Sequence, residues 1–196
     1  MDLQTPIILA SASPRRAQLL AQIRIPFEAV ASAVDESIHS GELPEDYVCR
    51  MARSKAAAGS RVGRITLAAD TIVVTDNRIL GKPAGREEAI EMLLTLAGRE
   101  HRVHTAVAVC NGDRLLVDLV STRVRFRDIS AEEAQRYWES GEPVDKAGGY
   151  GIQGIGGIFA ASIEGSYSAV VGLPLAETER LLAQMGVDTW RCRTDG

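Results

Sequence analysis

The stretch LASASPRRAQLL, residues 9–20, connects a predicted strand to a predicted helix and so indicates how the fold begins. The apolar run before it favours a short strand, and the leucines within and after it recur at helical spacing. Ser13 is a typical N-cap, and Pro14 is a typical first residue of a helix. Arg15 and Arg16 then fall in the first turn, where the helix dipole favours negative charge. Two cations at that position indicate an anionic partner.

The composition is that of an ordinary globular chain. Its 196 residues are 45% hydrophobic and 24% charged, and we predict a single domain over residues 1–196. A net charge of −4 argues against binding to a nucleic acid polymer, which usually requires a broad basic face. No apolar run approaches the roughly 20 residues needed to cross a bilayer. We therefore expect a cytoplasmic protein without a membrane partner, whose anion site is a local pocket.

Alternating strand and helix patterns predict an α/β fold with a mixed sheet flanked by helices. Residues 27–34, FEAVASAV, favour a strand that ends at Asp35-Glu36, and residues 65–74, ITLAADTIVV, favour a buried strand. Two alternating runs around Asn111-Gly112-Asp113 predict a hairpin. Ser130 followed by Glu133 is a capping-box pattern that predicts the start of a further helix. The hairpin within the alternation favours a mixed sheet over a parallel one.

Two histidines lie close together before the hairpin, at His101 and His104. Residues three apart on a strand point to opposite faces, so a shared metal ion is not expected there. We predict that both are surface or edge residues.

Asp70 is the first candidate for chemistry because it interrupts an apolar strand. An unpaired carboxylate in an apolar strand would cost roughly several kcal/mol or more unless another group offsets its charge. The alternative is that Asp70 marks a strand end and caps a neighbouring element. Asp35 and Glu36 offer further carboxylates, which together with Asp70 suit Mg²⁺ or Mn²⁺, although they also fit a solvated loop.

Four cations are candidates to bind several phosphate charges. Arg15 and Arg16 begin the first helix, Lys55 lies on an alanine-rich helix, and Lys82 lies between a glycine and a proline in LGKP. Taken with the carboxylates, they indicate a polyphosphate and a metal ion.

The chain lacks the usual nucleotide-binding loops. No glycine-rich loop ends in Gly-Lys-Ser/Thr before a helix, and no Gly-x-Ser-x-Gly elbow is present. Residues 145–157, DKAGGYGIQGIGG, do not match the dinucleotide fingerprint. Their glycines favour a tight bend or a close approach of the backbone to another group.

Four ordered motifs resemble those of the Maf-type nucleoside triphosphate pyrophosphatases. They are LASASPRRAQLL, AADTIVV, LGKP and DKAGGYGIQGIGG with the later IEGSYSAVVGLPL, and together they span nearly the whole chain. The resemblance implies a mixed curved sheet flanked by helices, with two lobes and a cleft. It also implies a homodimer that uses a divalent metal cation to hydrolyse a small nucleoside triphosphate to the monophosphate and pyrophosphate.

The same resemblance assigns roles to individual residues. Asp70 matches the family's catalytic carboxylate, and with Glu36 it is the expected metal site, for Mg²⁺ or Mn²⁺. The expected substrate-binding residues are Ser11, Arg15, Arg16, Lys55, Thr71, Lys82 and Gln153. Of these, Arg15, Thr71 and Gln153 match the positions that mark the dTTP/UTP subgroup, as opposed to the subgroup that acts on 7-methyl-GTP.

Two hypotheses about function stay open at this point. In the first, water attacks the α-phosphorus and pyrophosphate leaves, with Asp70 acting as base, as metal ligand or as both. In the second, the chain is a nucleotide-binding regulator of cell division, at septum formation, with little catalysis. Detection of dTMP and pyrophosphate after incubation with dTTP would separate the two.

Overall fold

Apolar runs of the sequence form a seven-stranded mixed sheet in the computed structural model, which describes residues 6–194. The strands are β1 Ile7–Ala10, β2 Phe27–Val30, β3 Thr66–Thr75, β4 Arg78–Leu80, β5 Glu100–Asn111, β6 Arg114–Phe126 and β7 Ala160–Glu164. Their order is β2-β1-β3-β5-β6-β7, with β4 paired to β3. β1 runs parallel to β2 and β3, whereas β4 and β7 are antiparallel to their partners. The predicted mixed sheet is confirmed.

Helices form at the amphipathic segments. They are α1 Pro14–Gln22, α2 Pro44–Ala58, α3 Arg86–Leu96, α4 Ala131–Glu139, α5 Tyr167–Val171, α6 Leu175–Gln184 and α7 Thr189–Thr194. Short 3₁₀ helices lie at Glu142–Asp145, Ala147–Gly149 and Ile155–Phe159. Within residues 6–194 we find no helix with the length and apolar character required to span a membrane.

The predicted helix starts differ in how they are capped. Ser130 forms the predicted capping box, because its side chain accepts from the Glu133 N–H while the Glu133 carboxylate accepts from the Ser130 N–H. Ser13 is the N-cap residue of α1 and Pro14 follows it, but the Ser13 side chain makes no capping hydrogen bond. Sequence pattern therefore located both helix starts and identified the bonded cap only at α4.

β2 is shorter than predicted. It ends at Val30, whereas the apolar pattern predicted a strand that continued to Asp35. Among the described strands β2 pairs with β1 alone, and the last residue of β1, Ala10, lies opposite Val30. Since β1 ends at this pair and no other strand within residues 6–194 continues alongside, Asp35 and Glu36 lie in a loop and not at a strand end.

The chain divides into two compact units. The first comprises the described residues up to Asp70, Thr105–Val120, and the described residues from Gly172 onwards. The second comprises Thr71–His104 and Ser121–Val171. The first unit buries β1 completely, and the second is built around a cluster that contains Phe126, Tyr137, Tyr150 and Phe159.

The prediction that His101 and His104 lie at the surface or an edge is wrong, since each is only 2% exposed. β5 lies between β3 and β6 in the sheet, so neither of its edges is free, and aromatic side chains of other segments enclose the His101 ring. His101 Nε2 hydrogen-bonds the Tyr150 hydroxyl at 2.8 Å, and its ring packs edge-on against Phe126. Burial lowers the pKa of His101 to about 4, which keeps the imidazole neutral at neutral pH.

Candidate functional site

Asp70 is buried in β3 and is paired with a cation from α2. Only 8% of the residue is exposed, as the interrupted apolar strand predicted. The Lys55 ammonium, in the last turn of α2, lies 2.6 Å from Asp70 Oδ1 and 2.7 Å from Glu36 Oε1. One ammonium therefore compensates two carboxylates, and the desolvation of Asp70 is offset by an ion pair. The structure thus brings three of the predicted site residues, Lys55, Asp70 and Glu36, into direct contact, and their roles stay predictions.

Tyr47 holds the loop that carries Glu36. Its hydroxyl donates to the Glu36 carbonyl oxygen at 2.9 Å. Burial, followed by the negative charges of Asp70 and Glu36, raises the pKa of Tyr47 to about 12. The phenol therefore stays a hydrogen-bond donor across the physiological range. Sequence reasoning did not single out Tyr47, because its apolar ring fits the buried face of α2 and no local pattern marks its hydroxyl.

The turn between β1 and α1 is organised around Ser11 and Arg16. Ser11 Oγ accepts from the Ser13 N–H at 3.2 Å and from Arg16 Nη1 at 3.3 Å. Arg16 Nε also donates to the Gly172 carbonyl oxygen at 2.8 Å, which fixes the guanidinium in place. Gly172 is a partner that sequence reasoning missed, because it lies 156 residues away along the chain.

The charges of this turn interact with the carboxylates. Burial lowers the pKa of the Arg16 guanidinium, while the negative charge of Asp70 raises it and the neighbouring charge of Arg15 lowers it. Glu36 acts in the same direction as Asp70. The two arginines at the start of α1 predicted an anionic partner. The carboxylates of Asp70 and Glu36 supply part of that negative charge.

The donor set at Asp70 and Glu36 fits a hard divalent cation. Their carboxylate oxygens already meet at one positive charge, and oxygen ligands of this kind suit Mg²⁺ or Mn²⁺. In the part of the chain that the structure describes, no group of three or more His, Cys, Asp or Glu residues could hold a metal ion. Magnesium commonly takes one or two carboxylates and completes its shell with water and substrate phosphates, so two carboxylates are sufficient.

The remaining predicted residues lie in the second unit. Thr71 follows Asp70 in β3 and is partly buried, whereas Lys82 and Gln153 are exposed. The Gly148 N–H donates to the Gly81 carbonyl oxygen at 2.9 Å, which ties the LGKP segment to the glycine-rich segment. Gly148 has a φ of 69°, and an added Cβ would contact Val73 at 2.9 Å, so this approach requires glycine.

A carboxylate that sequence reasoning missed organises the glycine-rich segment. Glu142 accepts from the Tyr137 hydroxyl at 2.7 Å, the Ile155 N–H at 2.8 Å and the Gly156 N–H at 2.9 Å. The Tyr137 oxygen in turn accepts from the Gly151 N–H at 2.9 Å. The density of glycines predicted a close backbone approach in this segment, but nothing in the pattern identified the approaching group.

Comparisons with known proteins identify the family. The family model described as Maf-like protein matches residues 6–185. The dTTP/UTP pyrophosphatase of Pseudoalteromonas atlantica is 50% identical over 187 residues, covering 92% of this chain and 97% of that protein. The dTTP/UTP pyrophosphatase of Methylococcus capsulatus is 50% identical, covering 94% of this chain and 93% of that protein. The dTTP/UTP pyrophosphatase of Pseudoalteromonas translucida is 52% identical, covering 90% of this chain and 95% of that protein.

Among solved structures, the one described as "The structure of the Staphylococcus aureus Ham1 protein" is 15% identical. The match covers 63% of this chain and 73% of that one, with a TM-score of 0.45, and is too weak to carry an argument. The family model, by contrast, spans most of the sequence, and the relatives match over nine-tenths of it. The chain belongs to the Maf-like protein family.

Proposed function

We propose that this protein is a nucleoside triphosphate pyrophosphatase that hydrolyses dTTP and UTP to the nucleoside monophosphate and pyrophosphate. The observation that carries the proposal is the buried Asp70 carboxylate, which shares the Lys55 ammonium with Glu36. A buried, charge-compensated carboxylate beside further cations suits a reaction in which a polyanion binds and a proton moves. Relatives of about 50% identity that are named dTTP/UTP pyrophosphatases support the same activity.

In the proposed reaction, water attacks the α-phosphorus. The bond between the α-phosphorus and the oxygen that bridges it to the β-phosphorus breaks. The Asp70 carboxylate accepts the proton of the attacking water, and pyrophosphate carries away the electron pair of the broken bond. Glu36 and Asp70 would hold Mg²⁺ or Mn²⁺. Such a cation, when bound, neutralises phosphate charge and lowers the pKa of water.

The cations of the chain stabilise charge as the bond breaks. Arg16 is fixed by Ser11 and Gly172, so its guanidinium needs little reorganisation to bind phosphate oxygens. The Lys55 ammonium is paired with the Asp70 carboxylate. When Asp70 takes up a proton, this ammonium can bind the phosphate oxygens instead. Lys82, which is exposed, supplies a further positive charge to the triphosphate. Ser11 and the N-terminus of α1 add hydrogen-bond donors for the same anion.

Selection of the base is assigned to Arg15, Thr71 and Gln153. A glutamine amide both donates and accepts, which matches the alternating carbonyl and N–H edge of uracil or thymine. A base with the wrong edge leaves a polar group unpaired at about 1–3 kcal/mol, so roughly tenfold to a hundredfold discrimination per mismatch is expected. The Gln153 side chain is exposed and accessible to a ligand.

The proposal extends to the state of the protein in the cell. We place it in the cytoplasm, where nucleoside triphosphates are synthesised and used. The whole chain, residues 1–196, acts as one pyrophosphatase domain and assembles as a homodimer. Its partner molecule is the small nucleotide and not a nucleic acid polymer.

The test is incubation of the purified protein with dTTP and Mg²⁺ or Mn²⁺, followed by separation of the products. Equal amounts of dTMP and pyrophosphate are expected, with no reaction in excess chelator. Formation of dTDP and phosphate would place the attack at the γ-phosphorus and contradict the mechanism. Tight dTTP binding without turnover would favour the regulator of cell division instead.

A panel of triphosphates at equal concentration tests the base preference. We expect dTTP and UTP to be hydrolysed faster than CTP and the purine triphosphates. The Gln153→Glu variant should lose dTTP hydrolysis while its melting temperature stays near that of the wild type. A preference for 7-methyl-GTP, or equal rates with all bases, would contradict the assignment.

A further inference from the structure

We propose that Glu142 and Tyr137 are positioning residues that hold the backbone turn presenting Gln153 to the nucleotide base. The inference rests on the proposed function, because it assigns Gln153 to base selection. It goes further by naming the two residues, outside the predicted site, on which that selection depends.

Gln153 lies in a turn that is closed by a backbone hydrogen bond. The Gly154 N–H donates to the Gly151 carbonyl oxygen at 3.2 Å, so Gln153 is the third of four residues in the turn. The turn contains two glycines, and the Gln153 side chain is exposed. Ile152 packs against the core cluster of this unit, but the two glycines add no side-chain contacts, so the orientation of the turn also depends on hydrogen bonds from outside it.

Both ends of the turn are held by one hydrogen-bonded pair. At the start, the Gly151 N–H donates to the Tyr137 oxygen. Directly after the turn, the N–H groups of Ile155 and Gly156 donate to Oε2 and Oε1 of Glu142. The Tyr137 hydroxyl donates to Glu142 Oε1, which joins the two anchors to each other.

The approach is so close that side chains would block it. A Cβ at position 154 would overlap the Glu142 carboxylate, and a Cβ at position 156 would lie 2.5 Å from the Tyr137 oxygen. The glycines at these positions thus permit the anchors to reach the backbone. This explains part of the glycine density in residues 145–157 that sequence reasoning could only attribute to a close approach.

A carboxylate suits this position better than an amide. Burial raises the pKa of Glu142, but hydrogen bonds from Gly156, Tyr137 and Ile155 outweigh that effect, so the pKa lies below its usual value. The ionised carboxylate only accepts hydrogen bonds, and here three donors point at it. Lys146 Nζ fixes the same segment by donating to the Glu142 carbonyl oxygen at 2.6 Å. A glutamine would direct its own N–H groups at one of the three donors.

The experiment compares Glu142→Gln with Gln153→Ala and with the double variant. The readout is the ratio of dissociation constants for the α,β-methylene analogues of dTTP and CTP, measured by calorimetry. We expect Glu142→Gln to lower this preference about tenfold, the size of one lost hydrogen bond to the base. The double variant should lose no more than Gln153→Ala alone, because both substitutions remove the same interaction.

Two further variants separate positioning from general stability. Glu132→Gln makes the same substitution at an exposed residue of α4 paired with Arg136, and should leave the preference unchanged. Tyr137→Phe keeps the ring against Phe159 and removes only the hydroxyl, so it should lower the preference in the same direction as Glu142→Gln. Amide hydrogen exchange in residues 151–157 should accelerate in both anchor variants and not in Glu132→Gln.

Additive losses in the double variant would overturn the inference, as would weaker binding of both analogues at an unchanged ratio. Equal affinity of the wild-type protein for both analogues would overturn it as well. Since the analogues resist hydrolysis at the α–β bond, a wild-type protein that binds the dTTP analogue preferentially but cleaves no dTTP would defeat only the proposed function.

Discussion

Each of the two units holds one carboxylate through several partners, buried at Asp70 and partly buried at Glu142, and the two are compensated in different ways. In the first unit, Asp70 is paired with the Lys55 ammonium, which also binds Glu36. In the second unit, the Glu142 carboxylate is held by neutral donors, namely the Tyr137 hydroxyl and the N–H groups of Ile155 and Gly156. The first arrangement matches charge with charge, and the second matches one charge with fixed dipoles.

This difference bears on what each region does. An ammonium on a flexible side chain can move or be replaced by another cation while the backbone stays in place. Backbone N–H groups move only if the chain around them rearranges. The Asp70 region is therefore suited to a reaction in which charge changes, and the Glu142 region is suited to holding one conformation.

The largest effect is expected from Asp70→Asn. The amide keeps the shape of the side chain but loses the charge and the basicity, so dTTP hydrolysis should fall by about 10²–10⁴-fold, the usual contribution of a general base. Product formation by purified protein, with circular dichroism to verify folding, measures this. Glu132→Gln on the exposed face of α4 is the matched control and should retain full activity. Turnover at the wild-type rate by folded Asp70→Asn would remove this residue from the mechanism.

A comparable loss, in stability, is expected from Lys55→Met. The side chains of Lys55 and Asp70 are only 11% and 12% exposed, so the substitution leaves a buried carboxylate without its cation. Removing one partner of a buried pair typically costs about 3–5 kcal/mol, and we expect the lower end because Glu36 is half exposed. Urea unfolding gives the free energy of unfolding. Mg²⁺ should restore part of it in this variant, because Asp70 and Glu36 are the proposed ligands of the ion.

The double variant Lys55→Met with Asp70→Asn tests the origin of that loss. Once the carboxylate is neutral, the missing cation matters less, so the double variant should be more stable than Lys55→Met alone. Equal or lower stability of the double variant would show that Lys55 contributes through packing of its methylene groups and not through charge.

Sequence pattern was informative where the determinants of structure are local. The apolar run around Asp70, the hairpin at Asn111-Gly112 and the Ser130 capping box depend on neighbours within a few positions, and the structure contains all three. The short helix α7 carried no such pattern and was not predicted. Ser13 shows the limit, since it begins α1 as predicted but makes no capping bond.

Non-local features were missed for identifiable reasons. Glu142 binds N–H groups 13 and 14 residues away in a segment with no regular period, so no pattern identified it. His101 is buried against Phe126 and Tyr150, and contacts with residues so far along the chain are not encoded in the strand's own alternation. The prediction for β2 was too long because its length is set by its partner β1.

An effect of similar size, dependent on pH, is expected in the second unit at His101. Its folded-state pKa of about 4 lies below the ordinary value of 6.5, so the unfolded chain binds a proton first as the pH falls. This contribution to stability is complete above pH 6.5 and is lost as the pH falls through 4. Because one pKa unit corresponds to about 1.4 kcal/mol, the loss is about 3 kcal/mol. Urea unfolding between pH 7 and 4 measures it.

The His101→Gln variant removes the titration while keeping a polar group near the Tyr150 hydroxyl. Between pH 7 and 4 the wild type should lose about 3 kcal/mol of unfolding free energy through His101, and this variant should not show that loss. His39→Gln, at an exposed loop residue, should follow the wild-type curve. Parallel curves for His101→Gln and the wild type would contradict the burial argument.

The smallest effects are expected at the two serines that begin helices, one in each unit. Ser130→Ala removes a hydroxyl that accepts from the Glu133 N–H at 3.2 Å, and a lost cap typically costs about 1 kcal/mol. Ser13→Ala removes a hydroxyl that makes no capping bond, so its free energy of unfolding should change by less than about 0.5 kcal/mol. Urea unfolding of both variants at pH 7 compares them directly.

In the first unit Arg16 and Ser11 hold the start of α1, whereas in the second the capping box holds the start of α4. Equal losses at the two serines would mean that Ser13 caps α1 in solution, and that the two helix starts do not differ in what their serine hydroxyls contribute.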